Sequence, residues 1–152
     1  MKGKMSVMGV GAKILFVLLA ALAVFEGLSL WLSPRFRIAA DAQALVWAGA
    51  ALAVVGFALN LVAAWGMLRA HRAGRLATGG LYALFAHPMY VFQILITLPG
   101  LFLLFNSWLA LLTILPTFVA YKVFSKEEER HLEREFGEQY VAYRKRVLVP
   151  FL

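Results

Sequence analysis

Cysteine is absent from the 152-residue chain, which excludes disulfides, thiolate metal sites and cysteine nucleophiles. Charge is scarce as well. Only 15% of residues are charged against 62% hydrophobic, and the mean hydropathy is +0.79, well outside the soluble average. No internal repeat and no low-complexity tract interrupts the sequence. So little polar chain remains that a net charge of +7 does not signal a nucleic-acid binder, which needs a basic, solvent-facing surface on a folded domain. What is present instead is several apolar runs of spanning length, roughly 20 residues each. These runs predict a single-domain, all-α integral membrane protein whose basic residues mark cytoplasmic flanks.

Four spans are read at 14–32, 42–67, 88–105 and 108–124, followed by a cytoplasmic helical segment over 125–152. Lys2, Lys4 and Lys13 before the first span, and Arg69, Arg72 and Arg75 after the second, put both termini on the cytoplasmic side of the inner membrane. The first run follows a basic start, as a signal peptide would. It is long for that role and ends in Trp31 and Ser33-Pro34 without a small-residue cleavage site, so it reads as a retained span. Glu26 inside it is a functional candidate as an ionisable group in a span, and the structural alternative is a place near the far interface or a pairing with Arg35 or Arg37. In the second run Gly49, Gly56 and Gly66, with Ala50, Ala53 and Ala58, permit close helix approach and would permit dimers, and Asn60 predicts an interhelical hydrogen bond. Pro99 and Pro116 predict kinks. Asn106-Ser107 predicts a tight, uncharged far-side turn.

Two polar stretches stand apart. In Gly80-Leu-Tyr-Ala-Leu-Phe-Ala-His87-Pro88-Met-Tyr90, Pro88 fits the first position of a helix and His87 falls at its N-cap. Free backbone N–H groups there suit a carboxylate or phosphate, while the local residues alone describe a helix start at a membrane interface. The second stretch, from Lys126 to Gly137, alternates opposite charges at helical spacing over a thin stripe of Phe124, Leu132 and Phe136. Gly137 predicts a stop. Tyr140, Tyr143 and Val147 then form an amphipathic piece with Arg144, Lys145 and Arg146 on other faces, suited to the inner membrane surface. Glu127, His131 and Glu135 lie four apart, a spacing common on solvated helices, and no metal site is assigned to them.

Taken together, Gly80-x-Tyr82, His87-Pro88-x-Tyr90, an apolar hairpin, and Glu128-Glu129-x-x-Leu132-x-x-x-Phe136-Gly137-x-x-Tyr140-x-x-Tyr143 resemble the isoprenylcysteine carboxyl methyltransferases and their relatives, the membrane phospholipid methyltransferases. The resemblance covers roughly residues 78–150. It implies a small helical bundle whose S-adenosylmethionine pocket is closed by the C-terminal segment on the cytoplasmic side. His87 and Tyr90 would line that pocket, Glu128 and Glu129 would contact the cofactor, and Tyr82, Tyr140 and Tyr143 would wall it. A lipophilic acceptor, an isoprenylcysteine carboxylate or a lipid amine, would enter from the bilayer. His87 and Glu128 would be the first candidates for a general base where the acceptor needs one.

The chain departs from the family pattern at Ala83 and Ala86, where Arg is common, at Phe92, where Gly is common, and at Leu148-Val149, where an Arg usually precedes the final proline. Arg69, Arg72 or Arg75 would then have to supply the missing cations. Two other classes predict differently. A small proton-coupled transporter would use Glu26, Asn60 and Gln93 within the spans. A non-catalytic scaffold would tolerate change at His87 and Glu128.

Overall fold

In the computed structural model, residues 8–32, 36–39 and 41–149 are described. Lys2, Lys4, Ser33, Pro34, Arg35 and Pro150, which entered the sequence reading, lie outside them. Six helices follow one another: α1 (Met8–Leu32), α2 (Gln43–Arg72), the single turn α3 (Leu81–Leu84), α4 (Pro88–Leu104), α5 (Trp108–Phe136) and α6 (Glu138–Arg146). Among the described residues there is no strand, only two isolated bridges, Arg37–Ser107 and Phe85–Val149.

Helices α1, α2 and α5 are long and apolar enough to cross a membrane. The fourth apolar helix, α4, is shorter; at 1.5 Å per residue it rises about 25 Å, near the hydrocarbon thickness. Helices start earlier or run further than the apolar runs alone indicate. Helix α1 begins at Met8, α2 continues to Arg72, and the charged stretch after Phe124 belongs to the same helix as the fourth span.

Both prolines leave their mark. Pro99 lacks the N–H that would continue the ladder, and the turn before it, Gln93–Thr97, widens to π geometry. The Thr97 hydroxyl donates to the Phe92 carbonyl there (3.1 Å). Pro116 removes the donor for Leu112, and α5 is interrupted at Thr113, where the Thr117 hydroxyl donates to the Thr113 carbonyl (2.8 Å).

Gly49, Ala53 and Gly56 of α2 face α4, whereas Ala58 and Gly66 are exposed. A Cβ added at Gly100 would lie 2.5 Å from the Ala53 nitrogen, and one at Gly56 would lie 2.7 Å from the Thr97 nitrogen. The backbones meet because neither glycine has a side chain. Asn60 makes the expected interhelical bond, its Nδ2 donating to Thr97 Oγ1 (3.1 Å) as well as to the Gly56 carbonyl (2.9 Å). Helices α1, α4 and α5 share two core layers, Val10, Ile14, Ile94 and Tyr121 at one level and Leu18, Leu98, Phe102 and Ala110 at the next. Outward faces carry Phe16, Leu30, Trp47, Phe57 and Trp65, as lipid contact demands.

At the end of the bundle away from Lys13, Asn106 ties two connections together. Its Oδ1 accepts from the backbone of Ile38 (3.1 Å) and Ala39 (3.0 Å), and its Nδ2 donates to the Ala39 carbonyl (2.9 Å). Among the described residues Glu26 forms no ion pair with Arg37, and its buried Oε1 is without a hydrogen-bond partner.

Candidate functional site

The basic end is where the two polar stretches meet. His87 caps α4 with Pro88 in the first helical turn, as the local sequence requires. Its side chain does not cap the helix. It is buried, and its Nε2 lies 3.2 Å from Glu129 Oε1. A carboxylate can only accept, so this bond places a proton on Nε2. One turn into α4, Tyr90 donates its hydroxyl to Glu128 Oε2 (3.1 Å). Neighbouring helix residues point about 100° apart, which is why Glu128 and Glu129 take different partners. Residues separated by 42 and 38 positions are thereby joined.

The straight run of α5 past Phe124 makes this possible. It carries both glutamates beyond the apolar portion of the helix to the level of the α4 start. Glu129 Oε1 also accepts from Arg144 Nη2 of α6 (3.2 Å). The His87 hydrogen bond, then the positive charges of Arg144 and Lys122, hold the Glu129 carboxyl below its ordinary range, against the opposing effect of burial.

Helix α6 returns over the site because Gly137 takes φ +54°, a conformation open to glycine. Tyr140, Tyr143 and Val147 pack on Ala86, with Tyr82, Leu132 and Phe136 around them. The apolar face of α6 therefore meets protein rather than the membrane surface. The Tyr143 hydroxyl donates to the Tyr82 carbonyl (2.8 Å), and the chain beyond α6 pairs its Leu148 and Val149 amides with the Ala83 and Leu84 carbonyls (3.3 and 2.9 Å). Burial pushes the Tyr143 hydroxyl up to about 12, and raises Tyr82 and Tyr140 further, with the charges of Glu128 and Glu129 respectively adding to the effect. These phenols are neutral hydrogen-bonding groups at neutral pH.

Two residues belong to this cluster that the polar stretches do not announce. Tyr121 is buried with its ring 5.3 Å from that of Tyr90 and 6.1 Å from that of His87. It lies seven residues before Glu128, on the same helix face, and that spacing was the available signal. Arg144 is the second. The cation beside the glutamates comes from α6, whereas Arg69, Arg72 and Arg75 are exposed. Ala86, where the related pattern has Arg, is buried in the tyrosine cluster. Glu127 turns away to Lys13 (2.6 Å), and His131 pairs with Glu135 (3.4 Å).

The residues present suit a cationic, hydrogen-bonding ligand. Two carboxylates stand beside two tyrosine faces, which favour positive charge, and the buried Tyr140 hydroxyl is without a partner among the described residues. A cleft of about 560 Å³ beside Glu129 and Tyr140 is lined by Lys126, Arg130, Arg144 and Lys145, so it is not itself this cation-favouring position.

The chain is an all-helical membrane bundle with a histidine–glutamate–tyrosine cluster under a C-terminal cap. The phospholipid methyltransferase family model matches residues 42–139, from the start of α2 into α6, and the chain belongs to that family. It is thus a membrane protein of a lipid-methylating family. No curated protein and no solved structure matches it significantly.

Proposed function

We propose that this chain is an S-adenosylmethionine-dependent methyltransferase acting on a lipophilic acceptor at the cytoplasmic face of the membrane. One observation carries the reading: His87 and Tyr90 from the start of α4 meet Glu128 and Glu129 from the far end of α5, within 3.2 Å. A scaffold has no need to converge two carboxylates, an imidazole and buried phenols on one spot.

The cofactor, when bound, supplies a methyl group activated by a positively charged sulfur. Glu128 and Glu129 would lie near that charge, with Tyr90 and Tyr121 presenting ring faces. Tyr82, Tyr140 and Tyr143 would wall the site and exclude water. Rate then comes chiefly from aligning donor and acceptor. A lipid amine is the acceptor class the family favours. The amine attacks with its lone pair, the methyl carbon leaves sulfur with the bonding pair staying on sulfur, and the amine proton passes to a base. Glu128, already a hydrogen-bond acceptor, would take that proton, or His87 would through Nδ1, the ring nitrogen not engaged with Glu129.

Orientation follows from charge. Lys13, Arg69, Arg72 and Arg144 all sit at the end that carries the site, which supports a cytoplasmic placement by the positive-inside rule.

Calorimetric titration of detergent-purified protein with S-adenosylhomocysteine tests the reading. Saturable binding is expected in the wild type and its loss in His87→Ala and Glu128→Ala, with helical content unchanged. Absence of binding at millimolar ligand in the wild type would overturn it.

A further inference from the structure

The cleft between α5 and the returning α6 holds more positive charge than methyl transfer requires. Lys126, Arg130, Arg144 and Lys145 line it, against Glu129 and Glu133. Glu129 is already satisfied by His87 and Arg144. Lys126, Arg130 and Lys145 are exposed and have no ion-pair partner among the described residues. With Arg144 and Glu129 paired to each other, the three cations Lys126, Arg130 and Lys145 facing Glu133 make a site for an anion.

Its depth says which anion. Lys126 stands two residues beyond Phe124, the last residue of the apolar stretch, and Arg130 stands one turn further, about 6 Å along the helix axis. Helix α6 folds back toward the membrane, so that Lys145 comes just before the segment that pairs with Ala83 and Leu84. The cleft therefore lies at the level of lipid headgroups, where clustered Lys and Arg recognise anionic lipid. Val141 adds an apolar wall.

We propose that this cleft binds the phosphate of an anionic glycerophospholipid drawn from the surrounding leaflet. The cleft shares Glu129, Tyr140 and Arg144 with the histidine–glutamate cluster, but the proposal rests on Lys126, Arg130 and Lys145 and not on the cofactor reading.

The test uses full-length protein in detergent with equal amounts of phosphatidylcholine and phosphatidylglycerol, and native mass spectrometry to count the lipid retained. Wild type is expected to retain phosphatidylglycerol preferentially. The Lys126→Gln/Arg130→Gln/Lys145→Gln variant should lose that preference by about fivefold for each cation removed, the equivalent of ~1 kcal/mol per charge near an anionic surface. A charge-conserving Lys126→Arg/Lys145→Arg variant should keep it. Arg69→Gln/Arg72→Gln/Arg75→Gln removes the same charge from another surface at the same end, and should change the preference by less than about twofold. Equal losses in the two triple variants would show general surface attraction and overturn the cleft. So would a wild type without preference, or displacement of the lipid by orthophosphate at matched ionic strength, which would mark a site for soluble anions.

Discussion

Replacing Gly100 by alanine tests how tightly the bundle is drawn together beneath the site. The new Cβ would sit 2.5 Å from the Ala53 nitrogen, 2.8 Å from the Gly49 oxygen and 3.0 Å from the Ala53 Cα. Carbon atoms settle at about 3.5–4.0 Å from their neighbours, so α2 and α4 must part by on the order of 1 Å. Every obstacle is backbone, and no rotamer change relieves it. Overpacking of this kind costs about 1–3 kcal/mol. The same separation stretches the Asn60–Thr97 bond, 3.1 Å long, for roughly 0.6 kcal/mol more. The better helix propensity of alanine returns at most ~1 kcal/mol. A net loss of about 1–3 kcal/mol is expected, read as a lower midpoint in SDS unfolding from a mild detergent. Gly66→Ala is the control. Its Cβ would touch only Tyr82 ring carbons, at 3.9 and 4.0 Å, and propensity alone should leave it neutral or slightly stabilised. Wild-type stability in Gly100→Ala would refute the backbone contact, and with it the route by which α4 holds His87 and Tyr90 in place.

Other outcomes follow from the cap and the opposite end. Tyr143→Phe removes the hydroxyl that bonds the Tyr82 carbonyl; a loss of about 0.5–1.5 kcal/mol is expected, with faster amide exchange at Leu148 and Val149. Glu129 has a lowered folded pKa, so its stabilising effect is present above the ordinary value of 4.5 and is lost as pH falls below it through the folded value. Acid titration of cap protection by hydrogen exchange should show that loss in the wild type and a flatter profile in Glu129→Gln. Asn106→Ala removes three hydrogen bonds and leaves a non-glycine residue at φ 49°; about 2–3 kcal/mol should be lost. Asn106→Gly should lose less, because it relieves the backbone while giving up the same bonds.

Much of this architecture is legible in the sequence because a bilayer imposes blunt rules. Apolar runs locate the helices, and Pro88 fixes where α4 begins. Asn60 was expected to bond across helices, and it makes that bond to Thr97. Other features escape for equally physical reasons. Tyr121 sits in an apolar run, where an aromatic residue reads as packing or lipid contact, and only its seven-residue spacing from Glu128 connects it to the cluster. Arg144 lies among basic neighbours, and its pairing depends on the turn at Gly137. The tyrosines of α6 suit a membrane interface as well as a protein groove, so periodicity alone did not reveal that they face Ala86. The π turn before Pro99 is an answer to a missing N–H, and several geometries could have supplied one.

The backbone bonds from Leu148 and Val149 to Ala83 and Leu84 also bear on how the molecule is made. The four apolar helices precede this segment in chain order, so the residues that close the cluster around His87 are the last of the described chain to be made. A chain interrupted shortly after Gly137 would keep those helices yet lack Arg144 and the roof over His87.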